Sequence, residues 1–144
     1  MHRIQPYEIW IGHAGDGRDP RNLLDHGIQA VVQLAFEEPP VNLPREIIVE
    51  RYPLLDGTAN SPELLRLAIR GIIALIQVRV PVLICCGAGM SRSPAIVAAA
   101  ISIIEGRELQ ECLEIITEHS PADISPGLWQ DVVDLCGKMR DLCE

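Results

Sequence analysis

Aromatic side chains are scarce in this chain, at 3% of residues, so Leu, Ile, Val and Ala must fill its interior. Positive charge is short too: 12 Lys and Arg face 20 Asp and Glu, for a net charge of −8, and no basic run occurs. Nucleic acids and acidic membrane surfaces are held by clustered cations, so neither is an expected partner. Nothing approaches the ~20 apolar residues that span a bilayer. The longest such run, Ala95 to Ile104, is already broken by Ser102. The opening residues, Met1 to Pro6, carry no apolar secretory core. The five cysteines (Cys85, Cys86, Cys112, Cys136 and Cys143) match neither a disulfide framework nor a zinc spacing. An odd count with two neighbours suits a reducing cytoplasm, the expected location, and no metal or other cofactor is expected.

What is present is globular: 48% apolar and 22% charged residues over 144, enough to bury one real core, so residues 1–144 are read as a single domain. Glu8 to Gly12 reads as a short strand. A helix opens at Pro20 and stops at Gly27, a good C-terminal glycine. Ala30 to Ala35 is almost continuously apolar, as a buried parallel strand should be, and Glu46 to Tyr52 is a further strand. Ser61-Pro62-Glu63 caps a helix whose leucines and isoleucines recur at helical spacing as far as the stop at Pro81. Helices from Ser93 or Pro94 to Glu105, Glu108 to Glu118, and Pro126 to Leu142 with Ser125 as cap complete the chain. Strands alternating with helices predict an α/β fold, with a mainly parallel sheet of about four to five strands and helices on both faces.

The informative stretch is Pro81 to Pro94: an apolar strand, a loop with two glycines, then an apolar helix. Cys86 closes the strand and Arg92 opens the helix, with five residues between them. Gly87 and Gly89 let the backbone curl so that successive N–H groups can surround an anion. The following helix turns its positive end to the same point. Arg92 supplies a planar fork that fits two oxygens of a phosphoryl group. A cysteine in that positive field is favoured as thiolate, a nucleophile near neutral pH. The bland alternative is a buried cysteine in an ordinary strand–loop–helix turn.

Cys86-x5-Arg92-Ser93 with Gly89 in the loop resembles the signature of the cysteine-dependent protein tyrosine phosphatases, and the small size points to their dual-specificity branch. Trp10-Ile11-Gly12 followed by Ala14, Gly27 to Leu34, and Pro121 to Trp129 resemble outer segments of the same family, so the resemblance covers nearly the whole chain. It implies a two-step hydrolysis. Cys86 attacks phosphorus to form a phosphocysteine, Asp56 protonates the leaving oxygen and then helps water to attack. Arg92 and the backbone of Gly87, Ala88, Gly89, Met90, Ser91 and Arg92 hold the phosphoryl oxygens. Ser93 steadies the thiolate, with a helix-capping role as its alternative and Ser91 as competitor for that job. Asp56-Gly57 taken alone is a common turn pair. Asn60 is a weaker candidate beside the acid loop, more in keeping with a turn. The four histidines (His2, His13, His26 and His119) fall at no motif position.

One departure stands out, because the family usually has histidine where this chain has Cys85. Alternation along a strand turns Cys85 away from the face that Cys86 uses. The loop residues Ala88, Met90 and Ser91 are uncharged, which disfavours polyanionic substrates. Phosphotyrosine and phosphoserine/threonine in proteins are therefore the expected substrates of a monomeric enzyme. The alternatives are a catalytically weak module that binds phosphoproteins and a phosphatase for a small non-protein phosphate ester.

Overall fold

The computed structural model describes residues 1–143. In chain order the elements are β1 (His2–Arg3), β2 (Ile9–His13), α1 (Ala14–Gly17), α2 (Pro20–Asp25), β3 (Ala30–Ala35) and β4 (Ile48–Leu54). They continue with α3 (Pro62–Gln77), β5 (Val82–Cys86), α4 (Arg92–Glu105), α5 (Leu109–Thr117) and α6 (Pro126–Cys143). The strands form one five-stranded sheet in the order β1-β2-β5-β3-β4, parallel throughout except for the antiparallel β1–β2 pair. The expected single-domain α/β fold is what the chain adopts.

Local chemistry accounts for the element ends. Ser61 accepts from the N–H of Leu64 at 3.2 Å and Pro62 occupies the first turn, so α3 starts where its cap permits. Asp19 caps α2 in the same way through Asn22. Gly106 closes α4 in the left-handed conformation, at φ +67°, which costs a residue without Cβ little. β4 runs from Ile48 to Leu54, shifted two residues onward from the expected Glu46 to Tyr52, and it includes Pro53. It lies at the edge of the sheet, where a missing N–H costs no ladder bond.

The sheet separates two apolar layers of unequal size. Alternate β5 residues Val82, Ile84 and Cys86 join the larger one, which α3, α4, α5 and α6 complete through residues such as Ile69, Ile72, Ile96, Ile116 and Val132. Each fully buried isoleucine there contributes roughly 2 kcal/mol of burial free energy. The intervening Leu83 and Cys85 face the smaller layer, with Leu23, Ile28, Val31 and Ile47. α4 is buried from Arg92 through Ser102, as a helix apolar all round should be. Cys112 and Cys136 are buried small side chains, as expected, whereas the side chain of Cys143 lies outside the described part of the structure. Among the described residues no helix is long and apolar enough to cross a membrane. The parallel strands β2, β5, β3 and β4 bring their carboxyl ends to one side, and the loop that follows β5 sits there.

Candidate active site

β5 delivers its last residue, Cys86, into the loop 87–91, and α4 begins at Arg92. Two glycines make that turn feasible. Gly89 has φ +77°, and a Cβ on it would lie 2.6 Å from the carbonyl oxygen of Gly12. A Cβ on Gly87 would sit 3.2 Å from Glu37 Oε2 and 3.3 Å from Arg92 Nη2. The loop is tied down on both sides: Ala14 donates its N–H to the carbonyl of Gly87 at 3.1 Å, and Asp123 donates its N–H to that of Met90 at 2.7 Å. Ser91 precedes α4 but makes no side-chain cap, so the first amides of this helix keep their donors for an anion over the loop.

Arg92 is 5% exposed and held firmly. Nη1 and Nη2 each donate to one oxygen of Glu37 at 2.6 Å, and Nη1 also donates to the carbonyl of Leu54 at 2.9 Å. These hydrogen bonds pull the Glu37 carboxyl down to about 2 and favour the charged guanidinium in return. The end-on edge of the fork is thus occupied by protein. The side-on edge is not, because Nε is buried and has no partner among the described residues. A buried donor without an acceptor is costly, and a tetrahedral anion in the loop would supply one.

Cys86 and Cys85 are both 3% exposed, yet they differ in surroundings. Cys85 points into the smaller layer, where burial pushes its thiol up to about 12. Its sulfur lies 3.7 Å from the carbonyl oxygen of Val32, and a Cβ on Gly17 would come within 2.9 Å of it. Cys86 lines a cavity of about 220 Å³ together with Asp56, Ala88, Met90, Ser91, Arg92 and Asp123. Two larger cavities, of about 380 and 440 Å³, are lined without any cysteine, and a phosphoryl group needs little room, so chemistry outweighs size in choosing the site.

Asp56 follows β4 by two residues and reaches the loop from above. Its Oδ1 accepts the hydroxyl of Ser91 at 2.6 Å and that of Ser125 at 2.7 Å. Asn60 stitches the segment that carries it: its Oδ1 accepts the N–H of Leu55 at 2.8 Å, and its Nδ2 donates to the carbonyls of Leu55 at 2.8 Å and Gly57 at 3.4 Å. Ser93 is fully buried on α4, and its hydroxyl bonds to nothing among the described residues, the sulfur of Cys86 included.

Most of the residues singled out in the sequence therefore converge on one cavity. Asn60 is a loop residue as expected, though one that braces both sides of Asp56. The expected cap Ser125 directs its hydroxyl to Asp56 instead. Glu37 escaped notice because it opens a proline-bearing loop; an acid directly after a buried strand of a parallel sheet was the available signal. His13 pairs in register with Cys86 at the end of β2, but its side chain caps α1 through the N–H of Asp16 and is mostly exposed.

Comparison with known proteins agrees with this picture. The fold of human DUSP28 matches with a TM-score of 0.86 at 20% identity over 99% of both chains. A mouse putative dual specificity phosphatase, solved with zinc tungstate, gives 0.85 at 22% identity over 99% of this chain and 89% of that one. PTPMT1 in complex with PI(5)P gives 0.75 at 18% identity over 99% and 98%. No curated protein matches. Residues 13–107, more than half of the chain, match the family described as "Polymorphic toxin system, DSP-PTPase phosphatase", and the chain belongs to that family.

Proposed function

We propose that this protein hydrolyses phosphate monoesters on tyrosine, serine and threonine side chains of proteins, through a phosphocysteine intermediate. The sulfur of Cys86 attacks phosphorus as the P–O bond breaks, and Asp56 hands a proton to the departing oxygen. The same carboxylate then takes a proton from the water that cleaves the S–P bond. Arg92 grips the transferring group through Nε and the free hydrogen of Nη2, while the loop amides from Gly87 to Arg92 meet its remaining oxygens. The hydroxyl of Ser93, in the first turn of the same helix and unengaged among the described residues, would steady the sulfur as it leaves.

The observation that carries this reading is the buried Nε of Arg92, without a partner among the described residues, beside a cavity shared with Cys86 and Asp56. Nothing else in that lining is cationic, and it holds a second acid, Asp123, beside Asp56. A headgroup that carries a second phosphate beside the scissile one, such as the PI(5)P in the PTPMT1 complex, would find no further cation here to hold it.

The test is turnover of para-nitrophenyl phosphate together with a panel of phosphopeptides and PI(5)P vesicles. Wild type is expected to release phosphate from the aryl ester and the peptides but not the vesicles, and Cys86→Ser to release none. Peptide binding without turnover by wild type would support a binding module instead, a reading that Cys85 in the usual histidine position favours. Turnover that survives Cys86→Ser would remove the mechanism altogether.

A further inference from the structure

Besides Ser61, which caps α3, two serines stand directly ahead of helices, Ser91 before α4 and Ser125 before α6. A serine in that position ordinarily accepts an N–H from the first helical turn, worth about 1 kcal/mol. Ser91 makes no such bond, and the hydroxyls of both residues go to the same atom, Oδ1 of Asp56, at 2.6 and 2.7 Å. Their arrangement is directional. The backbone N–H of Ser125 donates to Ser91 Oγ at 3.0 Å, and of the two acceptors in reach of the Ser91 hydrogen, Asp56 Oδ1 at 2.6 Å is much nearer than Ser125 Oγ at 3.4 Å. The carbonyl of Ser125 meanwhile accepts the N–H of Trp129 at 3.0 Å and anchors the residue to α6. Among the described residues, Asp56 Oδ2 has no such partner.

We propose that Ser125, acting with Ser91, is a positioning residue for proton transfer: it clamps Oδ1 of Asp56 and leaves Oδ2 as the oxygen that carries the transferable proton. This rests on Asp56 being the acid of the reaction described above. In the first step the lone pair of the Cys86 sulfur forms the S–P bond and the P–O pair moves to the leaving oxygen. That oxygen takes the Oδ2 proton, and Asp56 becomes a carboxylate. A hydrogen bond to a carboxylate is about twice as strong as one to a neutral acid. The two hydroxyls therefore bind more tightly as the charge on Asp56 grows, which stabilises the transition state over the ground state. In the second step Oδ2 takes the proton of the attacking water, and the clamp returns to its starting state.

A role through Asp56 leaves a fingerprint that a merely structural serine would not. Ser125→Ala and Ser125→Gly are compared with wild type on aryl phosphates of graded leaving-group basicity. The expected loss in kcat is about tenfold or more for the poorest leaving groups, the scale of one charge-assisted hydrogen bond, and slight for the best. KM should hardly move, Ser125→Thr should restore the rate, and Asp56→Asn/Ser125→Ala should be no slower than Asp56→Asn. A loss that is uniform across the series, or that adds to Asp56→Asn, overturns the positioning role while the function proposed above stands. If Asp56→Asn itself shows no dependence on the leaving group, the acid assignment fails, and this inference with it.

Discussion

The carboxylate of Glu37 and the guanidinium of Arg92 meet edge to edge, with both contacts at 2.6 Å, although one follows β3 and the other opens α4. Arg92 is thereby aimed before any substrate arrives, with the Nη1–Nη2 edge spent and Nε left over. Glu37→Gln breaks the charge match while keeping the shape. Because the Glu37 side chain is 55% exposed, solvent discounts the pair, and a cost of about 1 kcal/mol is expected. Steady-state kinetics should show kcat/KM for para-nitrophenyl phosphate falling by about fivefold to tenfold. An unchanged value would mean that Arg92 finds its place without Glu37.

The same pair sets an acid limit on stability. Its carboxyl is held near 2 against an ordinary 4.5, so below 4.5 the unfolded chain takes up a proton that the folded chain refuses. The contribution is whole above pH 4.5 and drains away as the pH falls towards 2. Thermal melts of wild type and Glu37→Gln should differ at pH 6 and converge across that window. A gap that widens on acidification would reverse the sign and refute the account.

Iodoacetamide offers a contrast between neighbours. Burial keeps Cys85 protonated, with its thiol pushed up to about 12, and its sulfur is packed against Gly17 and Val32. Brief labelling at neutral pH should therefore leave Cys85 unmodified, while Cys86 reacts and inorganic phosphate protects it. Peptide mapping by mass spectrometry reads the outcome directly, and label on Cys85 in the folded protein would contradict the packing.

Gly89→Ala should be far worse than its size suggests. The left-handed backbone costs an alanine about 1–2 kcal/mol, and the new methyl would press on the Gly12 carbonyl, part of a strand that cannot give way. At least a tenfold loss in kcat/KM follows if the loop must open, with weaker inhibition by inorganic phosphate. Wild-type inhibition would show that the loop tolerates the methyl.

Asn60→Ala removes three hydrogen bonds that span Leu55 to Gly57, in a segment where Ala59 already has φ +75°. Loss of about 1–2 kcal/mol in stability is expected, together with slower turnover of poor leaving groups and near-normal turnover of good ones. Equal slowing of both would assign Asn60 to general folding rather than to the acid loop.

What could be read from the sequence was local. Cys86, the two glycines and Arg92 sit within one strand–loop–helix unit, so spacing alone conveys their geometry. β3 matched its apolar run, and α3 matched its serine cap. The misses have a common cause in distance along the chain. Glu37 meets Arg92 only because β3 lies beside β5, and Ser125 meets Asp56 only because α6 begins over the same loop. No local pattern encodes either encounter. The brief pairing of β1 and the shift of β4 to include Pro53 are edge effects, decided by which strands have a neighbour and which do not.

Two sulfur atoms stand one residue apart at the end of β5, and the pleat alone tells them apart. Even positions look into the thick side of the molecule and odd positions into the thin side, so parity along five residues decides which sulfur meets the guanidinium and which is sealed away. Deleting or inserting a single residue ahead of Cys85 would turn that residue to the opposite face of the sheet without touching either cysteine.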